Sequence, residues 1–233
     1  MPSHLFDFSI LASGRYHDML LSGLWLSLQL LAVTLVLALP LAVAVALLRL
    51  SGVRILQALA WTYVEAVRNV PLLAHMLFWY FGAPELLPED LRSWLYEHNF
   101  EALAATIALT LYAAAYMSED VRSGIRAIPR VQLEAGRALG FGFLASMRLV
   151  VLPQALRVTV PPLVSQVLNL WKDTSIATVI GTAELMYQAA KVETATFRSF
   201  EPFAFATLSY LLVSLLITGL GLWYQHLHPA RAS

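Results

Sequence analysis

The sequence predicts an all-α protein that passes through a membrane several times. Three observations carry that fold class. Of 233 residues, 59% are hydrophobic and only 13% are charged, too few charges to coat a water-soluble domain of this size. Mean hydropathy is positive, at +0.67. The apolar residues fall into long runs without strict alternation, and a hydrocarbon core admits only helices or closed barrels. Fifteen basic and fifteen acidic residues cancel, so no global field steers the chain toward nucleic acid or an acidic partner, and charge arguments are local. The absence of cysteine excludes disulfides, thiolate metal sites and cysteine nucleophiles.

A hydrocarbon core of about 30 Å takes roughly 20 helical residues to cross. Five runs reach or approach that length, 20–48, 55–81, 102–119, 150–171 and 203–224, and they read as five transmembrane helices of a single domain, 1–233. The first is longer than needed, which predicts tilt or a bend near Pro40. Ahead of it stand His4 and Asp7 but no Lys or Arg before residue 14, so it reads as a retained helix and not a cleaved signal. The third run extends to Glu119 if that end faces protein. Pro161 and Pro162 mark a bend in the fourth. The stretch 175–190 is apolar but short and holds Glu184 and Gln188. It reads as a short outer or re-entrant helix, because a sixth crossing would throw Arg231 outside.

Loop charge sets the orientation. Arg49 and Arg54 separate the first two spans, and Arg122, Arg126, Arg130, Arg137 and Arg148 fall between the third and fourth. The opposite connection, 82–101, holds five acidic residues against Arg92 alone. The basic excess places loop 121–149 and the C-terminus in the cytoplasm and the N-terminus outside. Trp25, Trp61, Trp79, Trp94, Trp171 and Trp223 mostly fall near span ends, where interfacial anchors belong.

Within the cytoplasmic loop, Pro129 suits a helix start and Gly140 a helix end. Arg130 and Glu134 are i,i+4 neighbours and Glu134 and Arg137 are i,i+3, so the carboxylate can sit between two guanidiniums. Ala135, Gly136 and Ala138 leave room for another surface to approach. On these features alone the helix reads as a solvated surface helix. Its spacing says more: Glu134, Ala135, Gly136, three residues, Gly140, nine residues, Val150, one residue, Leu152, Pro153. That string resembles the E-A-A-x3-G-x9-I-x-L-P signature of ABC importer permeases, with Gly136 for the second alanine and Val150 for isoleucine. "VEAVRNVPLLAHMLFWYFGAPELLP", 64–88, resembles the second-helix region of polar amino acid permeases, and "LWKDTSIATVIGTAEL", 170–185, the stretch after their fourth helix. Arg68, Asn69, Val70 and Pro71, with 79–89 and 197–203, are most similar to the glutamate/aspartate branch. His75 departs from the glutamine that the branch would carry there.

The resemblance implies a type I ABC importer fold and a bacterial inner-membrane subunit. Two such permeases, paralogues or two copies, form the pathway, two ATPase subunits grip their coupling helices, and an external binding protein delivers the amino acid. Arg130, Glu134, Ala135, Gly136, Arg137 and Gly140 would be the ATPase-coupling residues. No G-x-x-x-x-G-K-[ST] loop occurs, so the chain reads as no enzyme; ATP and Mg would be used by the partner ATPase and no cofactor bound by this chain. Ionisable residues at membrane depth are costly and usually functional. Arg68 in the second span, with Glu65 and Asn69, is a candidate contact for an anionic side chain; a Glu65–Arg68 pair within the helix is the alternative. Asn169, Lys172, Asp173 and Thr174 offer both an acceptor for an ammonium and donors for a carboxylate, or simply cap a helix end. His75 has no second ligand at metal spacing. Histidine, glutamine or arginine are the alternative substrates. An ion-coupled secondary transporter would also use intramembrane charges but would show an internal repeat, and an intramembrane enzyme would need paired carboxylates, metal-ligand spacing or a nucleophile motif, none of which occurs.

Overall fold

The computed structural model describes residues 9–228, and the regular structure in them is helical. His4, Asp7 and Arg231, used above for the chain termini, lie outside the described residues. The main helices are α1 (Arg15–Leu50), α2 (Arg54–Arg68), α3 (Leu72–Leu77), α4 (Glu89–Tyr96), α5 (Phe100–Arg126), α6 (Arg130–Ala138), α7 (Leu152–Asp173), α8 (Leu185–Thr196) and α9 (Phe200–Leu227). Among the described residues, four helical runs are long and apolar enough to cross a membrane: α1, α5, the run Phe143–Ile180 that contains α7, and α9. Helix α1 continues through Pro40, and α7 through Pro161 and Pro162.

The second expected span is not one helix. It ends at Arg68 and restarts at Leu72, then passes through a π-helical turn, Phe78–Gly82, and a 3₁₀ turn, Ala83–Leu86. Pro71 causes the break, because it brings no N–H to the ladder and holds the preceding residue away from helical angles. Asn69 finishes the first piece, its amide nitrogen donating to the Glu65 carbonyl at 2.8 Å, and the Pro71 carbonyl accepts from Ala74 at 2.9 Å to start the second. The 175–190 stretch also divides. A 3₁₀ segment, Thr174–Ile180, ends at Gly181 in the left-handed region, φ +84, a conformation that glycine adopts without strain. Glu184 then caps α8.

The chain forms two compact units. The first comprises Met1–Leu37, Val70–Tyr112 and Asn169–Leu215. Its core joins Leu20 of α1 to Leu185, Ala189 and Val192 of α8 and Ala206 of α9, flanked by Met19, Phe203 and Tyr210. Gly23 permits this approach: a Cβ there would stand 3.0 Å from the Glu184 carbonyl oxygen and 2.8 Å from the Gln188 side chain. Trp171 is fully buried and donates to the Tyr210 carbonyl at 3.1 Å, so it is a core residue and not an interfacial anchor; its ring fills the protein and its one donor is satisfied. Trp25, Trp94 and, in the second unit, Trp61 and Trp223 are exposed, as anchors should be.

The second unit comprises Ala38–Asn69, Ala113–Leu168 and Leu216–Ser233. Val45 of α1 packs with Ala60 and Val64 of α2. Helix α5 meets α7 at Gly124, where a Cβ would overlap the Thr159 hydroxyl. Glu119 accepts from Arg49 at 2.7 Å and pairs with Arg122, which explains why α5 runs past 119 to Arg126: its acid is neutralised from two sides. Asp120 accepts from the Gln166 amide at 2.9 Å.

Candidate functional site

The twenty residues 134–153 fold as a helix, a turn and a return. Pro129 is the N-cap of α6, with φ −58 and ψ 138, one position earlier than a first-turn proline. Gly140, at φ +85, closes the other end. The Phe141 amide donates to the Gly136 carbonyl at 3.1 Å and the Gly140 amide to the Arg137 carbonyl at 3.0 Å, the two bonds of a Schellman cap. The return is short: Phe143–Ser146, a π-helical turn Met147–Val151, and then α7. Gly136, the one buried residue of α6, faces this return. A Cβ on it would meet the Ser146 hydroxyl at 2.9 Å, the Ser146 Cβ at 3.1 Å and a Val150 methyl at 3.5 Å. The two departures from the permease signature, Gly136 and Val150, are therefore neighbours in space. The Gln154 amide reaches Gln132 at 3.4 Å, a second tie between α6 and α7.

The outward side of α6 is uncovered. Arg130, Glu134, Ala135, Arg137 and Gly140 are exposed, as are Val131 at 60% and Leu139 at 77%. Among the described residues no ion pair joins Glu134 to Arg130 or Arg137. The expected clamp is absent because exposed guanidiniums and carboxylates gain little from pairing in water and lose side-chain entropy by it. The helix thus presents two apolar residues and three unengaged charges on a backbone fixed at both ends.

Glu65, Arg68 and Asn69, ahead of the helix break, lie in the second unit. Arg68 stacks its guanidinium over the Tyr116 ring, 4.9 Å from its centroid, and its carbonyl accepts from the Tyr116 hydroxyl at 3.4 Å. It lies close enough to Glu119 and Asp120 for its charge to act on both carboxylates. Glu65 accepts from the Asn69 amide at 3.1 Å, so the alternative of a Glu65–Arg68 pair gives way to a Glu65–Asn69 hydrogen bond and an Arg68–Tyr116 stack. The helix ends at Arg68, which lets its side chain turn to α5. Arg68 and Asn69 are both exposed.

Asn169, Lys172, Asp173 and Thr174 belong to the first unit. Thr174 is buried and spends its hydroxyl on the Trp171 carbonyl at 2.8 Å, and Ser175 does the same for Lys172 at 2.7 Å. These hydroxyls finish the helix end. Asn169 and Lys172 are exposed and Asp173 is half-buried, which leaves those three as the polar groups that a ligand could meet. His75 sets its ring edge-on to Tyr112 at 6.0 Å. Among the described residues no cluster of three metal-ligating side chains occurs.

Sequence reasoning missed the most buried acid. Glu184 is fully buried and accepts from the Met186 and Tyr187 amides at 3.0 and 2.9 Å, the Tyr210 hydroxyl at 3.1 Å and the Ser27 hydroxyl at 3.3 Å. Burial pushes its carboxyl above the usual carboxylate range, while these hydrogen bonds pull it down. The available signal was a Glu two residues after Thr182 and ahead of an apolar helical run, a cap position.

Comparison with known proteins places these features in context. Residues 38–231 match the family model described as "Binding-protein-dependent transport system inner membrane component". The chain is 37% identical over 214 residues to the probable glutamine ABC transporter permease protein GlnM of Bacillus subtilis (strain 168), covering 91% of each chain. It is 38% identical over 168 residues to the glutamate/aspartate import permease protein GltJ of Escherichia coli (strain K12), covering 70% of this chain and 68% of that one. Among solved structures, a crystal structure of an amino acid ABC transporter with histidines superposes with a TM-score of 0.82 at 28% identity, covering 95% of this chain and 98% of the other.

Proposed function

Because the chain belongs to the family of inner membrane components of binding-protein-dependent transport systems, we propose that it forms the translocation pathway of an ATP-driven importer for glutamate or aspartate. It is the permease subunit of an amino acid ABC importer and a multi-pass membrane protein. The observation that supports ATPase coupling is α6, exposed on its outward side, capped at both ends and seated on its return through Gly136. ATPase subunits that close on ATP would carry α6 with them and move α5 and α7 on either side. ATP and Mg²⁺ belong to those ATPase subunits, and this chain contributes no catalytic residue and binds no cofactor. The remaining partners are a second permease subunit and an external binding protein.

The proposed topology has five crossings: α1, the broken segment 54–86, α5, α7 and α9. The N-terminus is outside and the C-terminus cytoplasmic in a bacterial inner membrane, and the 3₁₀ segment with α8 stays on or near the outer side. The break at 69–71 leaves backbone without a helical ladder, which a membrane protein tolerates where it faces a cavity. Arg68, held flat over Tyr116, supplies a cation there for an acidic side chain, with Asn69 and Glu65 beside it. Lys172, Asp173 and Asn169 are the polar groups at the other candidate position for the α-carboxylate and ammonium.

A second reading, glutamine, is favoured by the 37% identity to the GlnM permease across 91% of both chains. The deciding experiment measures ATP hydrolysis in proteoliposomes holding this chain, its partner permease, ATPase and binding protein, with each amino acid added in turn. Stimulation by glutamate or aspartate supports the first reading. Stimulation by glutamine alone would replace it with the second, and silence with every amino acid would sink both.

A further inference from the structure

One cavity in the second unit lies apart from every residue assigned above to substrate or ATPase. It is an open pocket of about 420 Å³ lined by Arg49, Arg54, Gln57, Ala58, Trp61, Arg122 and Arg126, within the roughly 300–1,000 Å³ of pockets that hold small ligands. Four guanidiniums face one space. Glu119 engages two of them, Arg49 at 2.7 Å and Arg122, which fixes their planes and offsets one charge. Arg54 and Arg126 have no ion-pair partner among the described residues. An excess of three positive charges, four from arginine less one from Glu119, lines a volume large enough for an anion, with no further ion pair among the described residues to neutralise it. Like charges this close repel strongly at an interface of lowered dielectric. Arginine's planar fork suits the oxygens of a phosphate group.

The walls say how that phosphate arrives. Arg54, Gln57, Ala58 and Trp61 are spaced three, four and seven residues apart on α2, so they share one helix face. Ile55 and Leu59, 72% and 64% exposed, form the adjoining stripe and are suited to lipid chains. Trp61 is 53% exposed between the two, as an aromatic at the headgroup level would be. Arg49 closes the last turn of α1, Arg54 opens α2 and Arg126 ends α5, so the cations come from helix ends on the side that the positive-inside rule places in the cytoplasm. Basic pockets between membrane helices on that side bind lipid headgroups.

We propose that this pocket binds the phosphate of an anionic phospholipid, its headgroup among Arg49, Arg54, Arg122 and Arg126 and its chains along Ile55 and Leu59. Arg49 and Arg122 form a preorganised floor held by Glu119. Arg54 and Arg126 close over the ligand from the rim. A bound lipid would tie the α1–α2 turn to the end of α5, the helix that leads into α6.

The test uses the full chain in nanodiscs of phosphatidylcholine alone or with phosphatidylglycerol, released and weighed intact by native mass spectrometry. The wild type should retain phosphatidylglycerol in preference to phosphatidylcholine, and added salt should weaken the adduct. Arg54→Gln with Arg126→Gln should lower retention by roughly ten- to thirtyfold, the effect of removing two cations at an anionic surface. Arg130→Gln with Arg137→Gln, which removes the same charge from α6, should leave it unchanged. Arg54, Arg126, Arg130 and Arg137 are all exposed and join no ion pair among the described residues, and matched circular dichroism spectra would show that each variant folds. Equal retention of the two lipids, or an equal loss in both double variants, would overturn the site. Inorganic phosphate added to delipidated chain is the third arm, read by Trp61 emission: a response lost in Arg54→Gln with Arg126→Gln, without any phosphatidylglycerol adduct, would make the ligand a soluble anion and overturn the lipid assignment.

Discussion

Replacing Gly136 by alanine would restore the residue of the permease signature, and a helix interior gains up to about 1 kcal/mol from that exchange. The structure predicts the opposite sign. The new Cβ would lie 2.9 Å from the Ser146 hydroxyl and 3.1 Å from the Ser146 Cβ. The hydroxyl can rotate away, but the Cβ is fixed to the backbone of a four-residue helical turn, Phe143–Ser146, and α6 is held to the same return by its Schellman cap. Overpacking of this kind costs typically about 1–3 kcal/mol, so the net effect of Gly136→Ala is a loss of up to about 2 kcal/mol. Ser146→Ala removes the closer contact and a buried hydroxyl that has no hydrogen-bond partner among the described residues, so it should recover much of that loss in the double variant. The assay is unfolding of the purified chain in mixed micelles titrated with SDS, run as a double-mutant cycle. A Gly136→Ala variant more stable than the wild type, with no coupling to Ser146→Ala, would refute the claim that α6 is seated on its return through this contact.

Glu184→Ala removes the acceptor for two amides and two hydroxyls and should cost about 2 kcal/mol or more, seen in the same titration and as faster proteolysis within α8. Arg68→Lys keeps the charge but loses the planar stack on Tyr116, worth about 0.5–1 kcal/mol at an exposed site; under the proposed substrate, glutamate uptake should fall more than glutamine uptake. The chain has no cysteine, so single cysteines report topology directly. Leu86→Cys, at a position 81% exposed, should react with an impermeant maleimide in intact cells, and Leu139→Cys only after the membrane is opened; the reverse pattern would invert the proposed orientation.

Helices α1, α5, α7 and α9 were legible because long apolar runs have one low-energy state in lipid. Helix α6 was legible to within a residue, since Pro129 and Gly140 are local signals for its two ends. The division of the second span was less so: Pro71 announces a bend, but a full break rests on Asn69 and Pro71 together serving as the two caps. Charge partners were the least legible. Arg49 and Glu119 are seventy residues apart, and Arg68 chooses Tyr116 over the nearby Glu65 because the helix ends beneath it. Glu184 looked like a polar interruption of an apolar stretch, yet it organises α8 through contacts to Ser27 and Tyr210 that local sequence does not encode.

If an ATPase subunit grips α6, cross-linking will capture the contact. Single cysteines at Val131 and Leu139, exposed at 60% and 77%, would be placed in the reconstituted complex with a short thiol-reactive cross-linker and each ATPase subunit carrying one cysteine in its groove. Adducts to the ATPase should form from both positions, with a yield that changes between nucleotide-free and ATP-bound complexes and falls in Glu134→Arg. No adduct from either position, while Leu86→Cys forms one, would contradict it.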